Sequence, residues 1–143
     1  MFVVICITLL AYVIMGKDIK PLVEKLKSVD WKSKITKLWR YVKEYGMKVG
    51  RATCQKVLQL YYVLKDGETT TMEKAMIFGA LAYTVLPVSI LPKSVFGFFG
   101  ILDEAGALLY VYKKMQAKIT PDINRKVDEL LDEWFGLQVE YVN

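Results

Sequence analysis

The stretch that most restricts the fold is AMIFGALAYTVLPVSILP, Ala75 to Pro92, eighteen consecutive residues without a charge. A helix that is apolar on every side has no face to offer water, so it is buried in protein or in lipid. Pro87 and Pro92 each remove a backbone donor, which bends or breaks the helix toward its C-terminal end. Ala75, Gly79 and Ala82 recur at helical spacing, and small side chains on one side let another helix approach closely.

A second charge-free run opens the chain. FVVICITLLAYVIM covers Phe2 to Met15 and is followed by Gly16 and Lys17. A helix of about 15 residues spans ~22 Å, short of a hydrocarbon core ~30 Å thick. No basic residue precedes the run and YVIMGKD is a poor cleavage site, which argues against a secretory signal peptide. Two placements stay open: a short uncleaved membrane anchor with the bilayer thinned to match, or a helix buried in a bundle or against the hairpin of residues 75–112. The anchor is the expectation. It divides the chain into an apolar anchor segment (1–16), a basic juxtamembrane linker and helix (17–30), a helical domain (31–136) and a C-terminal tail (137–143).

Charge sharpens that picture. Residues 17–56 hold twelve bases and four acids, a net of +8, whereas residues 57–143 hold eight bases and eleven acids. A basic block beside an acidic remainder selects anionic partners. If the first run spans a bilayer, the basic block lies on the cytoplasmic side. Each Lys or Arg near an anionic leaflet then adds about 1 kcal/mol. The expected location is therefore the cell membrane, with the chain from residue 17 onward on the cytoplasmic side. The expected partner is anionic membrane lipid, joined by a membrane protein or a second copy of the chain. Nucleic acid is not expected, because no recognition motif or interleaved aromatic platform accompanies the bases.

The chain has no histidine, which excludes His-based triads and His-ligated metals. Cys6 and Cys54 stand in unlike surroundings and do not make a disulfide framework. There is no phosphate loop, nucleophile elbow or zinc spacing, so neither catalytic residues nor a cofactor are assigned.

The remaining pattern is helical, and at 143 residues and 54% apolar content one domain with a real core is expected. DIKPLVEKLKS reads as a short helix with Pro21 in its first turn. Trp31, Ile35, Leu38, Val42, Tyr45, Val49 and Ala52 form one helical stripe, predicting a helix that continues through KVLQLYYVLKDG to about Gly67. Its bases fall largely off that stripe. They form either the solvated back of a core helix or a membrane-surface helix, with Trp31, Lys34, Lys37, Trp39 and Arg40 as the lipid contacts. A threonine near Thr71 caps the next helix. In ITPDINRKVDELLDEWFG, Thr120 caps, Pro121 and Asp122 suit the first turn, and Gly136 stops the helix. The fold class is all-α: the N-terminal anchor helix, then a small bundle around an apolar hairpin.

Asp103 and Glu104 interrupt the apolar hairpin. A carboxylate at a bilayer centre costs roughly 2.5–3.5 kcal/mol, which disfavours a simple second pass. Adjacent acids on a helix point about 100° apart and do not converge. They suit a first helical turn, where they complement the dipole. A carboxylate-based metal or acid–base site at this pair is the alternative.

The run YTVLPVSILPKSVFGFFGILDE, Tyr83 to Glu104, resembles the YkvA-like family, a bacterial domain family of unknown function. Its members read Tyr, three residues, Pro-x-Asp-x-x-Pro-Asp, then an apolar stretch to Gly-x-x-Asp-Asp. Tyr83, Pro87, Pro92, Gly100 and Asp103 stand at matching places, with one extra residue before Gly100. With its flanks the resemblance covers roughly residues 31–136. Ser89, Lys93 and Glu104 depart from the family's acids. If those acids hold a cation, this chain retains few of the oxygen ligands that magnesium or calcium needs. Lys93 instead suits an ion pair with Asp103 or Glu104, making Tyr83, Pro87, Pro92, Lys93, Gly100, Asp103 and Glu104 a structural motif. The functional expectation is a membrane-associated, non-enzymatic helical scaffold or interaction module. Besides the carboxylate site, the alternative is a soluble helical subunit of a cytoplasmic complex.

Overall fold

A computed structural model describes residues 2–86 and 104–136. Among these the chain is all helix: α1 (Phe2–Met15), α2 (Lys20–Leu26), α3 (Trp31–Gly46), α4 (Arg51–Lys65), α5 (Thr71–Val85), α6 (Glu104–Met115) and α7 (Pro121–Phe135), with a 3-10 turn at Gln116–Lys118.

The axis of the bundle is α5. Thr70 starts it with a reciprocal cap: the Glu73 backbone N–H donates to Thr70 Oγ1 at 3.2 Å, and the Thr70 N–H donates to Glu73 Oε1 at 3.0 Å. From Ala75 to Val85 every residue is buried, Tyr83 of the family motif included. The helix touches α1, α2, α3, α4 and α6. Protein, not lipid, covers this part of the charge-free run.

The most extensive of those covers is α1. Cys6, Leu9 and Leu10 are wholly inaccessible, and Phe2 stacks edge-on against Phe78 of α5 with ring centroids 4.8 Å apart. A Cβ added at Gly79 would lie 2.7 Å from the Cys6 carbonyl oxygen, so the two backbones meet there. This corrects the anchor expectation for residues 1–16. Two helices that are each apolar all round satisfy one another, and burying both together removes more apolar surface from water than burying either alone. Among the described residues no helix is long and apolar enough to cross a membrane. The orientation drawn from the positive-inside rule assumed a spanning helix, and α1 does not supply one.

A second correction concerns residues 46–51. The predicted single helix is two: α3 ends at Gly46, and Gly50, with extended backbone at φ −67° and ψ 158°, begins α4. At Gly46 a Cβ would stand 2.9 Å from Cys54 Sγ and 3.0 Å from the Trp134 ring, so the missing side chain admits both. The chain then reverses. Cys54 of α4 lies against Gly46, and the Tyr61 hydroxyl donates to the Ile35 carbonyl oxygen at 3.1 Å, which aligns the two helices antiparallel. The buried stripe on α3 is Trp31, Ile35, Leu38 and Val42, whereas Ala52, expected on it, is exposed.

The C-terminal helices close the other side. Ala107, Leu108, Val111 and Met115 of α6 enter the core. Thr120 Oγ1 accepts from the Ile123 N–H at 3.2 Å to cap α7, and Gly136 at φ +76°, a conformation that favours glycine, ends it. Ile123, Val127 and Leu131 are buried, and α7 packs on α4. Arg51 and Asp132 join these two helices at 2.8 Å, as do Gln59 and Asn124. Pro87, Pro92, Lys93, Gly100 and Asp103 lie outside the described residues, as does the side chain of Glu104. The Lys93 pairing and the carboxylate alternative fall there too.

Candidate functional site on the third helix

Because Trp31, Ile35, Leu38 and Val42 fix which side of α3 faces the core, Lys32, Lys34, Lys37, Arg40 and Lys43 are displaced to its other sides. Among the described residues none of these five bases has a carboxylate within ion-pair distance. The pairs are elsewhere: Lys27 with Glu24, Arg51 with Asp132, Lys118 with Glu73, and Arg125 and Lys126 with the acids of α7.

Several bases on this side rest on aromatic rings instead. Lys34 Nζ is 5.2 Å from the Phe2 ring centroid, and the Arg40 guanidinium is 4.9 Å from Tyr41, whose hydroxyl accepts from Nη2 at 3.1 Å. On α4, Lys65 Nζ is 5.4 Å from Tyr62 and 5.7 Å from Tyr61. A ring attracts the cation through its quadrupole but brings no net charge. Such a face therefore keeps its positive field, where a carboxylate partner would cancel it.

Two clefts flank the basic face. One, of about 270 Å³, lies between α1, α3 and α5, with Phe2, Leu38 and Phe78 beside Lys34 and Lys37. The other, of about 600 Å³, lies between α3, the end of α4 and the start of α5. Trp31, Trp39, Tyr61 and Tyr62 line it together with Lys32, Lys65 and Lys74. Burial pushes the Tyr61 phenol up to about 12, with a smaller push from Tyr62, and burial raises Tyr62 as well, so both stay neutral at physiological pH.

The five expected lipid contacts separate accordingly. Trp31 is only 9% exposed, and its indole Nε1 donates to the Leu26 carbonyl oxygen at 3.1 Å. It is a core residue with one edge on the larger cleft, which corrects its assignment to the surface. Trp39 is half-buried, 4.9 Å from Tyr61 and 5.6 Å from Trp134. Lys34 is half-buried, whereas Lys37 and Arg40 are exposed. The α3 periodicity could not find Lys65, Lys74, Tyr61 and Tyr62, because only the chain reversal after Gly46 carries them alongside Lys32. The Gly46 and Gly50 pair was the available signal for that reversal.

Little else in the described residues suggests chemistry. Burial pushes the Cys54 thiol up to about 11, opposed in part by Arg51, and raises Cys6 as well, so neither is an activated nucleophile. Among the described residues no three His, Cys, Asp or Glu side chains are placed to hold a metal ion.

Residues 73–110 match the family model described as Protein of unknown function (DUF1232). This segment, about a quarter of the chain, is similar to the DUF1232 family. The match runs from the start of α5 into α6 and covers the motif that carries the YkvA-like resemblance. No curated protein and no solved structure matches the chain. The basic face of α3 lies outside the matched residues.

Proposed function

We propose that this protein is a non-enzymatic helical module that lies on an anionic membrane surface through the basic side of α3. Its partners are lipid headgroups, and its place is the cytoplasmic leaflet. The observation that carries this is the set of five α3 bases without a carboxylate partner among the described residues. With α1 buried against α5, attachment is peripheral and electrostatic, and the segment expected to anchor the protein serves its core instead.

The magnitude is testable. At about 1 kcal/mol per base, replacing Lys34, Lys37 and Arg40 by Gln removes about 3 kcal/mol, on the order of a hundredfold in partitioning. The assay is sedimentation with phosphatidylcholine vesicles, with and without phosphatidylglycerol. Binding is expected only to the anionic vesicles and is expected to weaken with salt over a Debye length of about 10 Å. Equal binding to both vesicle types, or no effect of the triple substitution, would refute it. A helical subunit of a protein complex then becomes the better description.

A further inference from the structure

We propose that the larger cleft, between α3 and α4, seats one anionic single-chain lipid. Its head lies among Lys32, Lys65 and Lys74, and its chain runs along the wall formed mainly by Trp39 and Tyr62, with the edges of Trp31 and Ile35. This deepens the membrane-surface function proposed above and rests on it: the face draws the protein to the leaflet, and the cleft beside it takes one molecule.

Size, charge and shape support that occupant. At about 600 Å³ the cleft falls within the range of small-molecule sites. It is lined by three lysines and no acid, and among the described residues none of the three lysines has a carboxylate partner. An anionic head therefore meets uncompensated charge. Trp31, Ile35 and Trp39 follow one another at four-residue intervals on α3, which lays about 12 Å of apolar wall along the cleft. Trp31 and Ile35 present only their edges there, so the apolar strip that an acyl chain covers and a bare phosphate ion leaves wet comes mainly from Trp39 and Tyr62. Two polar groups of the lining are already engaged: the Tyr61 hydroxyl donates to the Ile35 carbonyl oxygen, and Thr36 Oγ1 donates to the Lys32 carbonyl oxygen at 2.8 Å. The three lysines favour an anionic head over a neutral one. Lys65, lying over both tyrosine rings, already holds its ammonium beside the apolar surface.

The probe is dodecyl phosphate below its micelle-forming concentration, titrated into the full chain and followed by tryptophan fluorescence and calorimetry. Saturable binding at one site is expected, with inorganic phosphate and dodecyl maltoside each at least roughly tenfold weaker. Thr36 is exposed on the edge of the cleft, so Thr36→Phe fills it without entering the core and is expected to weaken binding about tenfold or more. Lys65→Glu should do the same, and Lys113→Gln with Lys114→Gln, exposed bases outside the cleft, should leave binding within about twofold. Absence of saturable binding, equal binding of the maltoside, or indifference to Thr36→Phe would overturn the cleft assignment. Vesicle sedimentation separates the two failures. Sedimentation without dodecyl phosphate binding removes the cleft and leaves the surface function standing. Loss of anionic-vesicle binding removes the surface function itself.

Discussion

Gly79→Ala turns the packing of α1 on α5 into a question of sign. In an exposed or lipid-facing helix this change favours the helix by about 0.8–1 kcal/mol, because Ala is the better helix former. Here the new methyl would stand 2.7 Å from the Cys6 carbonyl oxygen, 2.9 Å from its carbonyl carbon and 3.2 Å from the Ile7 nitrogen. All three are backbone atoms of α1 and cannot rotate away, so the helix itself must move. Overpacking of this kind costs ~1–3 kcal/mol, and a rigid backbone obstacle belongs at the upper end. The net expectation is a loss of about 2 kcal/mol after the propensity gain, worth about 6 °C in Tm for a chain of this size. Urea denaturation followed by far-UV circular dichroism and tryptophan fluorescence measures it. A variant as stable as the parent, or more stable by about 1 kcal/mol, would refute the α1–α5 contact and return α1 to the role of an anchor.

Other consequences follow from single contacts. Gly46→Ala places its methyl against the Cys54 sulfur and the Trp134 ring, side chains that can shift, so a smaller loss of about 1 kcal/mol and a change in tryptophan emission are expected. Thr70→Ala removes the reciprocal cap of α5 and should cost about 1 kcal/mol in urea denaturation. Burial raises Glu73, but its hydrogen bonds from Lys118 and Thr70 outweigh this and hold the carboxyl below its ordinary value of 4.5. Its stabilisation is therefore complete above 4.5 and lost as pH falls through the lower folded value, and Glu73→Gln should flatten that acid limb in pH-dependent melts. Cys6 and Cys54, both buried with raised thiol pKa values, should resist Ellman's reagent in the folded chain and react in urea.

What could be read from sequence was what is encoded locally. Thr120, Pro121 and Gly136 mark both ends of α7 because capping depends on neighbours within a turn. The α3 core face was legible for the same reason, as four-and-three spacing needs no tertiary information. The fate of Phe2–Met15 was not. An apolar helix has the same sequence whether lipid or protein covers it, and a small residue such as Gly79 admits a close neighbour in either setting. The α3–α4 break was hidden because Val49 and Ala52 happen to extend the hydrophobic period across two glycines. The larger cleft was beyond any local pattern, since Lys65 and Lys74 reach Lys32 only through the antiparallel return of α4.

The most direct measurement compares two equal losses of charge on anionic vesicles. Lys37→Gln with Arg40→Gln removes two bases from the α3 face, and Lys113→Gln with Lys114→Gln removes two exposed bases from α6. A docking face on α3 predicts a loss of about 2 kcal/mol, roughly thirtyfold in partitioning, for the first pair, and at most about twofold for the second. Equal losses for the two pairs would show that overall charge, and not the α3 face, governs binding.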